Sequence, residues 1–202
     1  MINLNNLFFL ITFFLTLSDP SIVHATDRSI FPSSRMGGGT RGQCGSRLII
    51  HVVPFENIYS LDQDKLLALY LGKTKDPKPL TISFNDLKTN EQYEEILFDP
   101  LGESVLVFKV PGISNNVLWN SQFNCAELES NNPISFISNN SNPVSTLITS
   151  INNKANYQYQ KFINQAYYKC GSRISSNELT SLMSLENNIK NELSKSISIV
   201  CP

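Results

Sequence analysis

Between Arg47 and Cys125 the sequence divides into short apolar segments, each ending on Pro, Gly, Asp or Asn. The segments are RLIIHVVP, LLALYLG, PLTISFND, YEEILFD, SVLVFKVP and VLWNSQFNC. Each has the length of a strand and is rich in Ile, Val, Leu, Phe or Tyr, and hairpin-type turn residues lie between them. Strands without intervening helices predict a mainly β fold, an antiparallel β-sandwich over residues 44–140.

The segment SVLVFKVP predicts where one strand lies in the sandwich. Val105, Val107 and the aliphatic stem of Lys109 alternate with Leu106, Phe108 and Val110. Both faces of this strand are therefore apolar, which is typical of a strand between two packed layers.

The periodicity changes after Ser150. In NKANYQYQKFINQAYYKCG the apolar residues recur at helical spacing and Gly171 offers a stop, and in SSNELTSLMSLENNIKNELSKSI a Ser175–Glu178 pair has the spacing of a capping box. We expect two helices in residues 150–202 that cap the sandwich. One further strand, Ile134–Ser138, is expected in the polar connection before them.

The amino-terminal region predicts export. Leu7 to Leu17 is an apolar run of signal-sequence length, and Val23-His24-Ala25 places small residues where a signal peptidase cleaves. Residues 1–25 are therefore expected to be a signal peptide, with an uncleaved anchor as the alternative because no Lys or Arg precedes the run. Residues 26–43 form an expected flexible lead-in of Gly, Ser and Pro. The predicted location is extracytoplasmic, in the periplasm or secreted, with no membrane span after cleavage.

Charge narrows the class of partner. The chain has 16 Lys and Arg against 17 Asp and Glu, and Asp19 would leave with the signal peptide. A balanced chain has no electrostatic footprint for nucleic acid. The expected partners are an envelope protein or a polysaccharide.

Four cysteines, Cys44, Cys125, Cys170 and Cys201, all follow the predicted cleavage site. An even number of cysteines in an oxidising compartment favours two disulfides, and the absence of a C-x-x-C pair argues against a metal site. The favoured pairing is Cys44 with Cys125 and Cys170 with Cys201. A last helix continuous to Cys201 would hold it about 30 Å from Cys170, so this pairing predicts that the helix ends near Ser194 and that ISIV folds back as a strand. If the helix is continuous, Cys170 has another partner or stays reduced.

A glycine-rich GGGTRGQC, then LIIHVVP, then strands ending in LWNSQFNC, resembles an exported cyanobacterial family known as domain-of-unknown-function family number 928. The residues that carry the resemblance are Gly38, Gly39, Arg41, Gly42, Cys44, Val53, Pro54, Leu69, Tyr70, Trp119 and Cys125. It covers about half the chain, from Gly37 to Cys125, while the aromatic strand LLALYLG is thin and the helical tail has no matching motif. The resemblance implies an extracytoplasmic β-domain and no activity.

Two motifs raise the question of chemistry. RMGGGTRGQC, with Arg41, could cradle an anion, but a strand follows it and neither the P-loop nor the dinucleotide spacing is met. A hinge tied to the sheet by Cys44 is the favoured interpretation. His51 would act as a general base only beside a nucleophile and an orienting group, and no Gly-x-Ser-x-Gly motif is present, which favours a hydrogen-bonded strand histidine.

The acidic residues give two weak candidates. Asp62 and Asp64 have the spacing of part of a calcium loop without its glycine and terminal Glu. A glycosidase would need two carboxylates at a fixed separation, and Glu94, Glu95, Asp99 and Glu103 are the available acids. Solvated turns and a polar strand face are the simpler interpretation of both.

Aromatic residues complete the candidates. Trp119 is expected in the sandwich core, with a sugar-stacking platform as the alternative, so that Arg41 and Trp119 are the candidate binding residues. Four tyrosines of the first helix, Tyr157, Tyr159, Tyr167 and Tyr168, are expected to anchor it to the sheet.

The sequence as a whole favours a non-enzymatic protein without cofactor, with a binding, assembly or envelope-structural role. The alternatives are a hydrolase with paired carboxylates, carbohydrate-active or other, and a carrier of a small apolar ligand.

Overall fold

The computed structural model describes residues 35–38, 47–110, 112–124, 143–149 and 154–202 of the chain. In these ranges the protein is mainly β, with two facing sheets of a β-sandwich and a small helical part. The predicted fold class is confirmed. The expected signal peptide, the strand expected at Ile134–Ser138, and the candidate residues Arg41, Cys44 and Cys125 lie outside the described ranges.

The described strands are β1 (Met36–Gly38), β2 (Leu48–His51), β3 (Ile58–Ser60), β4 (Leu66–Leu71), β5 (Leu80–Asp86), β6 (Gln92–Phe98), β7 (Ser104–Lys109), β8 (Val117–Phe123), β9 (Val144–Ile148), β10 (Arg173–Ser175) and β11 (Ser196–Val200). The six-stranded sheet has the order β1-β2-β4-β7-β11-β10, and the five-stranded sheet has the order β3-β9-β8-β5-β6. All six apolar segments of the sequence contribute a strand.

Strand orientation is mixed, which corrects the expectation of a purely antiparallel sandwich. β11 runs parallel to β7, and β3 runs parallel to β9, while the other described pairings are antiparallel. β11 reaches β7 after the helices, and such a crossover connection is what a parallel neighbour requires.

β7 lies between two layers, as its two apolar faces predict. Phe108 contacts Phe98 of the other sheet with ring centroids 5.3 Å apart. On the opposite face the Lys109 ammonium lies 5.9 Å from the ring centroid of Tyr167, which belongs to the first helix. Ile199 pairs with Val105 in register and is likewise buried, so the helix side of this sheet is apolar at its centre.

The helices are α1 (Lys154–Tyr168), α2 (Ser176–Met183) and α3 (Asn187–Glu192). α1 contacts β4 and β7, and its side chains Ile163 and Ala166 are buried. Gly171 has φ 78°, the left-handed conformation that a helix stop favours. Ser175 is the N-cap of α2, but its hydroxyl accepts from the backbone N–H of Asn177 and not from that of Glu178, as the expected capping box would have it.

The second predicted helix is divided in two, which corrects the expected two-helix cap. Ser184 ends α2 with φ 49° and ψ 47°, a left-handed residue that cannot continue a helix. α3 then ends at Glu192, and Ser196–Val200 form β11. The early end of the last helix and the return of ISIV as a strand are both as predicted.

The disulfide that this geometry allows is present. Cys170 and Cys201 are bonded, with their Cα atoms 5.8 Å apart. The bond joins the end of α1 to the end of β11, so residues 150–202 contribute two strands to the six-stranded sheet as well as a helical cap. Part of the expected lead-in is ordered too, because Met36–Gly38 pair with β2.

Candidate functional site

His51 stands at the centre of a polar cluster between the two sheets. Its Nδ1 lies 2.7 Å from the Ser145 hydroxyl and its Nε2 lies 2.7 Å from the Ser121 hydroxyl. The Ser145 hydroxyl in turn donates to Asn57 Oδ1 at 2.6 Å. The His51 ring and both serines are 0% exposed. The hydrogen bonds that join β2, β8 and β9 therefore lie in an interior from which water is excluded.

The hydrogen bonds of this cluster fix the tautomer of His51. The Ser145 proton is used on Asn57, so Ser145 can only accept from the ring, and Nδ1 must carry the proton. Nε2 then accepts from the Ser121 hydroxyl. Burial holds the pKa of His51 well below its ordinary value of 6.5. The ring is therefore neutral, with each of its nitrogens satisfied.

Trp119 covers the ring of His51. The two ring centroids are 3.5 Å apart and the planes are inclined by 9°. Trp119 is 0% exposed, so it lies in the sandwich core as expected and its face is not open to a sugar. The candidate binding role of Trp119 is therefore not supported by its position.

The Ser121–His51–Ser145 arrangement has the connectivity of a nucleophile, a base and an orienting group. A working site also needs room for the substrate beside the nucleophile and donors for an oxyanion. Ser121 has no exposed surface, and Trp119 occupies the face of the base. The cluster is a structural link between the sheets, which agrees with the interpretation of His51 favoured by the sequence.

Sequence reasoning missed the partners of His51. Ser145 is 94 residues and Ser121 is 70 residues from it, so no local motif joins them. The only local signal is Ser121 itself, which continues the inward series Val117, Trp119 and interrupts its apolar character. A small polar residue at an inward strand position indicates a buried partner.

Polar side chains at the edge of the six-stranded sheet form hydrogen bonds that hold the helices against it. Buried Arg35 donates to the Val53 carbonyl at 2.8 Å and to the Met183 carbonyl at the end of α2 at 2.6 Å. A cation at a helix carboxyl terminus also interacts favourably with the helix dipole. These bonds tie β1 to the helices.

A second fastening involves Glu103. One carboxylate oxygen, Oε1, accepts from the Tyr70 hydroxyl at 2.9 Å and from the Ser194 backbone N–H at 2.8 Å. Partial burial acts to raise the pKa of Glu103, but these hydrogen bonds and the charge of Lys73 together lower it. Glu103 is therefore an anion that connects β7 and β4 to the chain entering β11.

Arg47 connects the loops at one end of the six-stranded sheet. Its Nε and Nη2 each donate at 2.9 Å, to the carbonyls of Gly72 and Gly102, and its guanidinium lies 4.5 Å from the ring centroid of Phe123. Burial lowers the pKa of Arg47 to about 10, so it stays charged at neutral pH. A side chain at Gly72 would meet Leu48 at 3.0 Å, which explains the glycine there.

The remaining candidate acids lie on three segments: the loop between β3 and β4, the strand β6 with the exposed Asp99 that follows it, and the residue before β7. Asp62 accepts from the Asn164 amide of α1 at 2.8 Å, and Asp64 is exposed in a turn. Glu94 is exposed and Glu95 contacts Ser83 and Gln92, all of them on β5 and β6. Glu103 instead accepts hydrogen bonds from Tyr70 and Ser194, as described above. The described residues contain no group of three potential metal ligands.

Two of the four helix tyrosines behave as expected. Tyr159 is 8% exposed and its hydroxyl donates to the Leu182 carbonyl at 3.1 Å, and Tyr167 packs against the core. Tyr157 and Tyr168 are 65% and 82% exposed, so they do not anchor the helix. Lys161, which is also exposed, lies between these two along the helix.

A groove of about 350 Å³ opens at one end of the five-stranded sheet. It is lined by Asp86, Leu87, Lys88, Ser114, Asn115, Asn116 and Thr149. These residues come from the β5–β6 turn, the loop before β8 and the end of β9. The lining contains a single carboxylate, Asp86, whose Oδ1 accepts from the backbone N–H groups of Lys88 and Thr89 and whose pKa these bonds lower.

Comparison of the chain with protein-family models found no match. Comparisons with curated proteins and with solved structures likewise found no similar protein. None of the described helices is long and apolar enough to cross a bilayer.

Proposed function

We propose that this chain is an exported, non-enzymatic β-sandwich protein that acts in binding, assembly or the structure of the cell envelope. The observation that carries the proposal is the position of His51. It is the one histidine after the predicted signal peptide, and both of its ring nitrogens are engaged by serines in the dry interior. The side chain best suited to general acid–base catalysis at neutral pH therefore serves the fold.

The Cys170–Cys201 disulfide supports export, because disulfides persist mainly in oxidising compartments. The sequence resemblance to an exported cyanobacterial family points to the same location. The periplasm or the outside of the cell is the expected site of action.

Two observations argue against the alternative functions, one against a hydrolase and one against a carrier of an apolar ligand. The groove beside β5 holds one carboxylate, whereas a glycosidase needs two. The helix side of the six-stranded sheet, where a carrier would hold an apolar ligand, contains buried side chains of the helices themselves, including Ile163, Leu179 and Met183.

Fractionation of the native host tests the location and the role together. Thiols are blocked with an alkylating reagent at lysis, and we expect Cys170 and Cys201 to be recovered as a disulfide in a fraction outside the cytosol. The purified protein is then sedimented with isolated envelope, before and after protease treatment, and we expect it to pellet with the envelope.

Two results would overturn the proposal. The first is a fully reduced protein in the cytosol. The second is turnover of ester, peptide or glycoside substrates by the purified protein that Asp86→Asn abolishes. An exported protein that fails to pellet with any envelope fraction would reject the envelope role.

A further inference from the structure

The groove at the end of the five-stranded sheet is built from three segments that hold one another in place. The Leu87 backbone N–H donates to the Asn116 carbonyl at 3.3 Å. Asn116 Oδ1 accepts from the Thr149 backbone N–H at 3.2 Å, and the Thr149 hydroxyl donates to the Ser114 carbonyl at 3.4 Å. The groove is therefore pre-formed, which reduces the entropic cost of binding.

The polar groups in the groove retain hydrogen-bonding capacity. The backbone N–H groups of the turn donate to Asp86 Oδ1, and the Asn116 bond to Thr149 uses its amide oxygen, so the Asn116 NH₂ group remains available. Among the described residues the Asn115 amide and the Lys88 ammonium form no protein hydrogen bond, and Asn115 is exposed. Donors and acceptors are thus presented together over a small area.

The charges in the groove limit the class of ligand. Asp86 would repel an anion and Lys88 would repel a cation, so a strongly charged ligand of either sign gains little. Leu87 and the methyl group of Thr149 add apolar surface to the lining. A neutral ligand that combines neighbouring hydroxyl groups with C–H surface matches this mixture.

An exposed tyrosine belongs to the same end of the sheet. Tyr93 is 47% exposed, and its hydroxyl donates to the carbonyl of Gly112 at 3.2 Å, two residues before the groove residue Ser114. An amphipathic ring that is half open to solvent offers a face to the C–H surface of a sugar. Tyr93 is thus exposed to solvent, whereas Trp119, the sugar-stacking candidate of the sequence, is buried in the core.

We propose that this groove binds a neutral sugar residue of an extracytoplasmic polysaccharide. The proposal rests on the binding role proposed above and names its ligand. The groove volume lies at the lower end of the range for small-molecule sites, about 300–1,000 Å³, and its open shape suits one unit of a longer chain. The affinity for a single sugar is therefore expected to be in the millimolar range.

Titration of the full, disulfide-intact mature chain with neutral monosaccharides, followed by two-dimensional amide NMR, tests the site. The probes are glucose, galactose, mannose, rhamnose, xylose and N-acetylglucosamine. We expect saturable shifts of the side-chain amide signals of Asn115 and Asn116 with at least one sugar. Asn115→Ala removes one exposed amide and should weaken that binding about 2- to 10-fold, the effect of one hydrogen bond.

Asn188→Ala on α3 is the matched control, because it removes an exposed amide far from the groove in sequence and its side chain bonds only the next backbone N–H. It should leave the affinity unchanged. Shifts with none of the six sugars, or equal weakening by both variants, would overturn the proposal. Shifts with inorganic phosphate or calcium alone would do so as well, since they would make the groove an ion site.

Sedimentation separates this proposal from the binding role on which it rests. If the protein pellets with envelope stripped of polysaccharide, or if Asn115→Ala pellets as well as the parent, the sugar site fails while the binding role stands. If the protein pellets with no envelope fraction, the binding role fails. Polysaccharide-dependent pelleting that Asn115→Ala weakens supports both.

Discussion

The two faces of the six-stranded sheet are held by different kinds of contact. The face toward the five-stranded sheet has a polar cluster at its interior, where His51 joins Ser121 and Ser145. The face toward the helices is apolar at its centre and has its polar fastenings at the rim, in Arg35 and Glu103. Burial of apolar surface holds layers together without direction, whereas buried hydrogen bonds require one relative position. The sheet-to-sheet contact should therefore be the more specific and the more sensitive of the two.

Removing the polar cluster should have the largest effect. His51→Ala leaves a cavity and two buried serine hydroxyls without their partner, and we expect a loss of about 4 kcal/mol in the free energy of unfolding. Chemical denaturation followed by the fluorescence of Trp119, the only tryptophan, measures it.

Ser121→Ala serves where His51→Ala does not fold. It leaves Nε2 of His51 without a donor and should cost about 2 kcal/mol. Ser181→Ala, at an exposed position of α2, is the control and should change stability by less than about 0.5 kcal/mol. Equal stability of Ser121→Ala and Ser181→Ala would show that the cluster does not hold the sheets.

Opening the disulfide tests the other face. The double substitution Cys170→Ser with Cys201→Ser removes a link between residues 31 apart in the chain and should cost about 3 kcal/mol. Because the link belongs to the helix side, amide exchange should accelerate in β10 and β11 more than in β5 and β8. If amide exchange accelerated equally in both sheets, the contacts on the two faces of the six-stranded sheet would not open independently.

The pH dependence of stability should distinguish the two faces again. The pKa of His51 is held below 6.5 in the folded state, so below about pH 6.5 the unfolded chain takes up a proton that the folded chain does not. Stability is then complete above pH 6.5 and falls with pH by about 1.4 kcal/mol per unit until the folded pKa is reached.

Thermal or denaturant unfolding between pH 7 and pH 5 measures this slope. The lowered pKa values of Asp86 and Glu103 act at more acidic pH, below the ordinary values of 3.8 and 4.5. His51→Gln should therefore remove most of the slope in this interval. If the unfolding free energy of His51→Gln still falls with pH in this interval, other titrating groups cause the pH dependence.

The sequence predicted the interior of the molecule better than its connections. The apolar segments located β2 and the strands from β4 to β8, and the position of Cys201 predicted that the last helix ends early and that ISIV returns as a strand. β3, β9 and β10 were missed because IYS, VSTLI and RIS are short, and their extended form depends on pairing with distant strands.

The polar sites were harder to predict for a physical reason. The His51 cluster and the groove each assemble side chains from segments that are far apart in the chain, so no motif represents them. Trp119 was correctly expected in the core, but its stacking on His51 depends on the distance between the two sheets. Tyr93 is exposed because β6 is the edge strand of the five-stranded sheet, and that strand order cannot be read from the sequence.

The smallest predicted effect concerns the rim fastening at Glu103. Glu103→Gln keeps an acceptor near Tyr70 and Ser194 but removes the charge that strengthens both hydrogen bonds, so we expect a loss of about 1 kcal/mol. Glu94→Gln on exposed β6 is the matched control and should have almost no effect. Chemical denaturation at pH 7 measures both variants.

Because charge-assisted contacts at a rim are partly screened, the Glu103→Gln effect should shrink in 1 M salt while that of Ser121→Ala does not. If the two respond equally to salt, the contrast between a buried specific contact and a solvent-accessible fastening does not hold.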